Sequence, residues 1–128
     1  MVRSIVAVIA GFAATFVLSV AFDLAARAAA PGAFGTDGRH PDAAMAIAGV
    51  VYTMVSATAG GYIAALIARR AEVMHALMLG TIGALTTLAL IVAAPAAQRT
   101  AALVIPAFLV IPATTLGGWV RARARRSG

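Results

Sequence analysis

Long apolar runs separated by short polar connections dominate the sequence. The longest run is residues 43–68, which has no charged residue and ends directly before Arg69 and Arg70. About 20 apolar residues suffice to cross a hydrocarbon core of about 30 Å. Three further runs have similar character: residues 4–29, 76–94 and 100–120. The pattern predicts an all-α polytopic membrane protein, a compact bundle of four transmembrane helices with antiparallel neighbours, formed as a single domain over residues 1–128.

The connections between the runs are short and rich in turn-forming residues. Residues 31–42, PGAFGTDGRHPD, predict a loop, and Asp42 is placed to cap the second helix. The link at residues 69–75 is too short for a domain, and short links favour antiparallel helices. Thr100 is a candidate cap for the fourth helix.

The fourth predicted helix contains Pro106 and Pro112. Each proline removes a backbone donor and crowds the preceding turn, which predicts a kink. In lipid the freed carbonyl groups need partners, so this helix should pack against the others. The basic tail, residues 121–128, is expected to leave the membrane on the cytoplasmic side.

The first run raises the alternative of a cleaved signal peptide. Arg3 precedes it, and residues 26–28 resemble a small-residue cleavage site. However, the apolar stretch is about 18 residues long, whereas a signal core has roughly 7–15, and Asp23 occupies a position that should be small and neutral. We therefore expect this run to be retained as a helix.

Composition supports a membrane environment. The chain is 62% hydrophobic and 11% charged, and its mean hydropathy is +0.99, whereas soluble domains carry about a quarter charged residues. The absence of cysteine excludes disulfides, thiolate metal sites and cysteine nucleophiles. The basic residues, all arginine, lie at the ends of apolar runs, which favours a role in topology over nucleic-acid binding.

The arginines are distributed unevenly between the two sides of the predicted bundle. Seven share the side of the amino terminus: Arg3, Arg69, Arg70, Arg121, Arg123, Arg125 and Arg126. Three lie on the other side: Arg27, Arg39 and Arg99. The positive-inside rule therefore predicts that both termini are cytoplasmic.

Small residues recur four positions apart in every predicted helix. Lipid provides no hydrophobic drive between helices, so close backbone contact through small side chains must stabilise the bundle. The glycines expected at helix contacts are Gly11, Gly49, Gly60, Gly61, Gly80, Gly117 and Gly118.

Residues 58–63, TAGGYI, align with residues 115–120, TLGGWV, at an offset of 57. A parallel repeat of the kind found in transporters is one interpretation. The other is that each segment combines a packing glycine pair, an interfacial aromatic and a basic stop, as many cytoplasmic helix ends do. We favour the second interpretation because it is simpler and requires no internal repeat.

Asp23 is the one acidic residue within an apolar run, and such carboxylates are functional hypotheses by default. It is a candidate cation or proton site. It lies near the outer edge of the membrane, however, and Arg27 follows at the spacing that allows an ion pair. We favour a structural pair and retain both residues as candidates.

No other constellation indicates catalysis. The loop residues Asp37, Arg39, His40 and Asp42 match no rigid metal-ligand geometry, and we expect an interfacial role for His75. The sequence predicts no catalytic residues, no metal and no cofactor. The tail arginines are expected to contact anionic lipid: Arg121, Arg123, Arg125 and Arg126.

Three segments carry a family resemblance: Ala10-Gly11-Phe12 with Asp23, residues 60–65 and residues 75–80. Together they resemble a group of small uncharacterised bacterial four-helix membrane proteins. The resemblance implies an inner-membrane location and no particular activity. Small multidrug transporters also have four helices and an acid in the first, but that acid lies at mid-membrane, unlike Asp23.

These features predict a non-enzymatic membrane protein, either a small scaffold or an accessory subunit. Its expected partners are the lipid bilayer and a homo-oligomer or larger membrane complex, not nucleic acid. The alternative is a small oligomeric transporter or channel subunit in which Asp23 binds a cation or proton.

Overall fold

The computed structural model describes residues 2–33, 43–93 and 101–127. They form four helices: α1, Val2–Ala29; α2, Ala43–Ala68; α3, Glu72–Ala93; and α4, Ala101–Arg126. A single 3₁₀ turn, Pro31–Ala33, follows α1. Several residues discussed above lie outside the described residues: Asp37, Arg39, His40, Asp42, Arg99 and Thr100.

All four helices are long and apolar enough to cross a membrane. Their outer faces carry large apolar side chains, and Phe16, Leu85 and Leu90 are 63%, 62% and 67% exposed. Extended apolar surface of this kind is rare on soluble monomers, whereas lipid solvates it well. The fold is the predicted all-α bundle of four candidate transmembrane helices, the pattern of a multi-pass membrane protein.

Two helix boundaries differ from the sequence-based prediction. The third helix begins at Glu72 instead of residue 76, and the fourth continues to Arg126 instead of ending at residue 120. A carboxylate in the first turn and arginines in the last turn both interact favourably with the helix dipole. Alanine and arginine are also strong helix formers. The basic tail is therefore helical up to Arg126.

The prolines of α4 lie within one continuous helix. Near Pro112 the Thr115 hydroxyl donates a hydrogen bond of 2.7 Å to the Ile111 carbonyl. This bond does not replace the one that Pro112 removes, because the missing N–H would have bonded the Phe108 carbonyl, four residues back. The bend angle at Pro106 and Pro112 stays a prediction.

The most extensive helix contact is between α2 and α4, followed by α3 with α4 and α1 with α2. Arg125, near the end of α4, donates a hydrogen bond to the Arg69 carbonyl just beyond α2. The two helices thus end at the same side of the bundle and run parallel. Helices adjacent in sequence are antiparallel, as predicted, and the parallel α2–α4 pair forms the centre of the bundle.

Glycine brings the α2 and α4 backbones into direct contact. A Cβ atom on Gly61 would overlap the Thr114 backbone carbonyl, and one on Gly117 would overlap the Thr58 carbonyl. Around this crossing the buried side chains are small: Ser56, Ala57, Ala64, Ala65, Ala113 and Thr114. The interior is therefore filled largely by backbone.

Other glycines serve the outer helices. A Cβ on Gly60 would lie 2.7 Å from the Gly11 carbonyl oxygen, so α1 and α2 also meet backbone to backbone. A Cβ on Gly118 would lie 2.5 Å from the Ala76 Cβ, and Gly80 faces Thr114. These contacts agree with the predicted packing roles.

Gly49 differs from the other predicted packing glycines. The nearest atoms to a Cβ at this position belong to the Tyr52 ring of the same helix, at 3.8 Å or more. Within the described part of the chain it therefore makes no close contact with another helix. The packing role predicted for Gly49 stays a prediction, whereas Gly60 and Gly61, nearer the other end of α2, make close contacts with α1 and α4.

The two similar segments, residues 58–63 and 115–120, contact each other in the bundle. Gly61 of the first and Gly117 of the second form the α2–α4 crossing, while Gly60 contacts α1 and Gly118 contacts α3. Each glycine pair thus joins its own helix to two others. This explains the recurrence of Gly-Gly by packing alone.

Replacing Gly61 with alanine should destabilise the bundle by about 1–3 kcal/mol, because the added methyl group meets backbone that cannot move aside. Gly83 offers a matched control, since a Cβ there would lie 3.9 Å from the Val110 side chain. Gly83→Ala should be neutral or stabilise by up to about 1 kcal/mol through helix propensity. Unfolding of both variants in one detergent measures the difference, and equal stability would contradict the backbone contact.

The turn between α2 and α3 holds two non-glycine residues in the left-handed region, Arg69 at φ 57° and Ala71 at φ 48°. This conformation costs roughly 1–2 kcal/mol for a residue with a Cβ. Ala71→Gly should therefore stabilise the protein by about 0.5–1 kcal/mol in detergent unfolding. Ala89→Gly on the exposed face of α3 should instead destabilise it by about 1 kcal/mol. Equal losses from both substitutions would exclude strain at Ala71.

Candidate functional site at the arginine-rich end

Asp23 and Arg27 form an ion pair on α1. The Arg27 Nε donates a hydrogen bond of 2.8 Å to Asp23 Oδ2, and the side chains are 56% and 39% exposed respectively. Phe22, beside Asp23, stacks on Tyr52 with ring centroids 5.9 Å apart. The structure thus brings the two predicted candidates together at the end of the bundle opposite the tail arginines.

Most helix hydroxyls bond to the backbone of their own helix. Thr15 donates to the Gly11 carbonyl at 2.9 Å, and Thr53 donates to the Gly49 carbonyl at 2.7 Å. Other threonines follow the same pattern four residues back: Thr58, Thr81, Thr86, Thr87, Thr114 and Thr115. The donors of these hydroxyls are thus used within their own helices, whereas the buried Ser56 hydroxyl has no partner among the described residues.

The opposite end of the bundle gathers charged residues from α1, α3, α4 and the turn that follows α2. The Arg3 Nε of α1 donates to the Ile67 carbonyl of α2 at 3.1 Å. Arg125 of α4 donates to the Arg69 carbonyl and, at 3.1 Å, to Glu72 Oε1 of α3. Guanidinium groups cap backbone carbonyls well, because they present several donors in a fixed fork.

Glu72 is the central acid of this end. Its side chain is only 9% exposed, whereas that of its partner Arg125 is 57% exposed. A carboxylate this buried requires a charged or hydrogen-bonding partner. The ion pair thereby fixes the last turn of α4 against the first turn of α3.

Trp119 lies on the outer face of α4, 48% exposed. The Arg123 guanidinium lies 4.9 Å from its ring centroid, within cation–π range. Amphipathic rings of this kind settle at membrane interfaces, and arginines beside them reach toward head groups. The helical tail is thus arranged for contact with an interface.

Two recesses open at this end. The larger, here called the arginine recess, has a volume of about 660 Å³ and is lined by Arg3, Leu66, Ile67, Arg69, Arg121 and Arg125. The smaller has a volume of about 320 Å³ and lies between the start of α3 and the end of α4, with Glu72 in its wall. Arg125 belongs to both.

Sequence reasoning assigned the arginines to one side but did not join them into a site. It named Arg121 and Arg125 as lipid contacts and missed Arg3, Arg69 and Glu72. The uneven arginine count was the available signal, because it already placed Arg3 and Arg69 beside the tail. The pairing of α2 with α4, which brings these residues together, is not encoded in any short motif.

Within the described residues no group of three or more acidic, histidine or cysteine side chains is placed to hold a metal ion. His75 Nδ1 lies 3.0 Å from the Ala71 carbonyl at the start of α3. Comparison with protein-family models, curated proteins and solved structures gives no match to this chain. The functional interpretation therefore rests on the sequence and on the geometry of the bundle.

The two ion pairs, Asp23–Arg27 and Glu72–Arg125, should contribute differently to the free energy of unfolding. Asp23→Asn should change the unfolding free energy by less than about 1 kcal/mol, because exposed pairs contribute little. Glu72→Gln should cost more, because Glu72 is buried and joins α3 to α4. Unfolding of both variants in the same detergent tests this, and a larger loss from Asp23→Asn would show that the exposed pair is the more important one.

Proposed function

We propose that this chain is a non-enzymatic integral membrane protein that acts as a small scaffold or accessory subunit. The single observation that carries this proposal is the direct contact of the α2 and α4 backbones at Gly61 and Gly117. Where backbones touch and the surrounding side chains are small, little volume is left for a substrate between these helices. The Thr15 and Thr53 hydroxyls already bond to their own helices, and the Ser56 hydroxyl is buried without a partner among the described residues.

The outer surface supports a role in assembly. α1 packs mainly on α2, and its remaining faces carry exposed apolar side chains such as Ile9, Phe16 and Val17. Such a helix contacts lipid in the monomer and is available to a second copy or to another membrane protein. The proposed partners are therefore the bilayer and a homo-oligomer or larger membrane complex.

The proposed location is the bacterial inner membrane, with both termini in the cytoplasm. All seven arginines counted on the amino-terminal side lie at one end of the bundle, where Arg3 meets the end of α2 and Arg125 meets the start of α3. Arg27 lies at the other end. This asymmetry supports the orientation through the positive-inside rule.

The alternative is an oligomeric transporter or channel subunit with Asp23 as its ion site. Its support is that Asp23 lies partly exposed on the least buried helix, where a second copy would reach it. It has less support than the scaffold role, because the carboxylate already accepts a hydrogen bond from Arg27.

Purification in mild detergent separates the two roles. We expect stoichiometric partner proteins to copurify, and reporter fusions at residue 128 and within residues 35–39 to report cytoplasmic and external positions. Asp23→Asn serves as the matched variant and should leave partner recovery unchanged. A homo-oligomer whose proton or cation flux depends on Asp23 would instead establish the transporter role and overturn the scaffold proposal.

A further inference from the structure

The arginine recess has an excess of positive charge. Four of its lining residues are arginines, contributed by α1, α4 and the turn after α2: Arg3, Arg69, Arg121 and Arg125. Of the described acids, Glu72 is paired with Arg125, and Asp23 is paired with Arg27 at the far end. Arg3, Arg69 and Arg121 therefore have no carboxylate partner within the described part of the chain.

Arg121 provides a second, independent observation. Its Nε is buried and has no hydrogen-bond partner among the described residues. A buried guanidinium donor without an acceptor is unfavourable, and native proteins rarely leave one unpaired. Arg121 is therefore a lining residue of the recess whose buried Nε has no acceptor among the described residues, and the recess carries a local positive charge that an anion would balance.

The position of the recess favours one kind of anion. Guanidinium groups bind phosphate through two parallel hydrogen bonds, and several arginines together match its oxygens. The remaining lining residues, Leu66 and Ile67, are apolar, and Leu66 is 42% exposed on the outer surface of α2. Basic pockets between transmembrane helices at this depth suit phospholipid head groups, whose acyl chains would lie along the apolar wall.

We propose that the arginine recess is a binding site for a phosphate group, held by Arg3, Arg69 and Arg121 and supplied by an anionic phospholipid. The site goes beyond general attraction of the tail to the membrane surface, because it requires residues from α1, α4 and the turn after α2 at once. It is independent of the proposed scaffold role.

The test uses the full chain in mild detergent, titrated with phosphatidylglycerol, phosphatidylcholine or inorganic phosphate. Native mass spectrometry measures the bound fraction, and thermal unfolding measures stabilisation. Phosphatidylglycerol should bind and raise the Tm, whereas phosphatidylcholine should bind at least about tenfold more weakly because its head group has no net charge. Stabilisation by inorganic phosphate that depends on Arg121, without lipid binding, would support the phosphate site and exclude the lipid as its source.

Two arginine variants separate the recess from nonspecific charge. Arg121→Gln should weaken phosphatidylglycerol binding about tenfold, as expected for the loss of a charge-assisted hydrogen bond. Arg70→Gln removes the same charge at the same end of the bundle, at a residue that lines only the smaller recess, and should have little effect. Equal weakening by both variants would overturn the proposal, because it would show that only net charge matters.

A second variant covers the case in which Arg121→Gln fails to fold. Arg3→Gln removes a recess arginine from a different helix and should weaken binding to a similar degree. Unfolding without lipid reports whether either variant is damaged. Unchanged lipid affinity in a folded Arg3→Gln or Arg121→Gln protein would contradict the site.

Discussion

The contact between the α2 and α4 backbones is the constraint on which the rest of the structure depends. Apolar side chains gain little from meeting one another in lipid, because the acyl chains around them are equally apolar. Stability must come from close packing, which small side chains allow because the helix backbones can then approach each other. At Gly61 and Gly117 the chain has no side chain at all, and the neighbouring carbonyls of Thr114 and Thr58 occupy that space. These two helices therefore form the centre, on which α1 and α3 pack.

This centre also determines what happens at the two ends of the bundle. Parallel α2 and α4 finish together, so the arginines that follow α2 meet those at the end of α4. The start of α1 and the start of α3 reach the same place, with Arg3 capping the end of α2 and Glu72 pairing with Arg125. The charged end is thus a consequence of the glycine crossing, and its recess lies where the start of α1 meets the ends of α2 and α4.

The number and type of elements were predictable from the sequence, because lipid allows only helices of about this length and hydropathy. Most packing glycines were also predictable, since small residues four apart lie on one face of a helix. Gly49 has the same spacing, and yet the nearest atoms to a Cβ there, among the described residues, belong to Tyr52 of its own helix. Spacing identifies a face that can pack, whereas the helix crossing decides which part of that face is used.

The candidate site was predictable only in part. The pairing of Asp23 with Arg27 followed from local spacing and is confirmed. The arginine recess forms where the start of α1 meets the ends of α2 and α4. These segments are far apart in sequence, and the spacing of residues within one helix does not predict contacts between distant helices. Helix ends were also hard to predict. The arginines after Val120 were expected to form a tail beyond the helix, whereas α4 continues to Arg126.

The most direct measurement of the central contact is solid-state NMR of the protein in lipid bilayers, with ¹³C at glycine Cα and threonine carbonyl positions. The account predicts cross-peaks between Gly61 and Thr114 and between Gly117 and Thr58, which are too far apart in sequence to arise within a helix. A folded, helical sample that shows only the cross-peaks expected within single helices would contradict it.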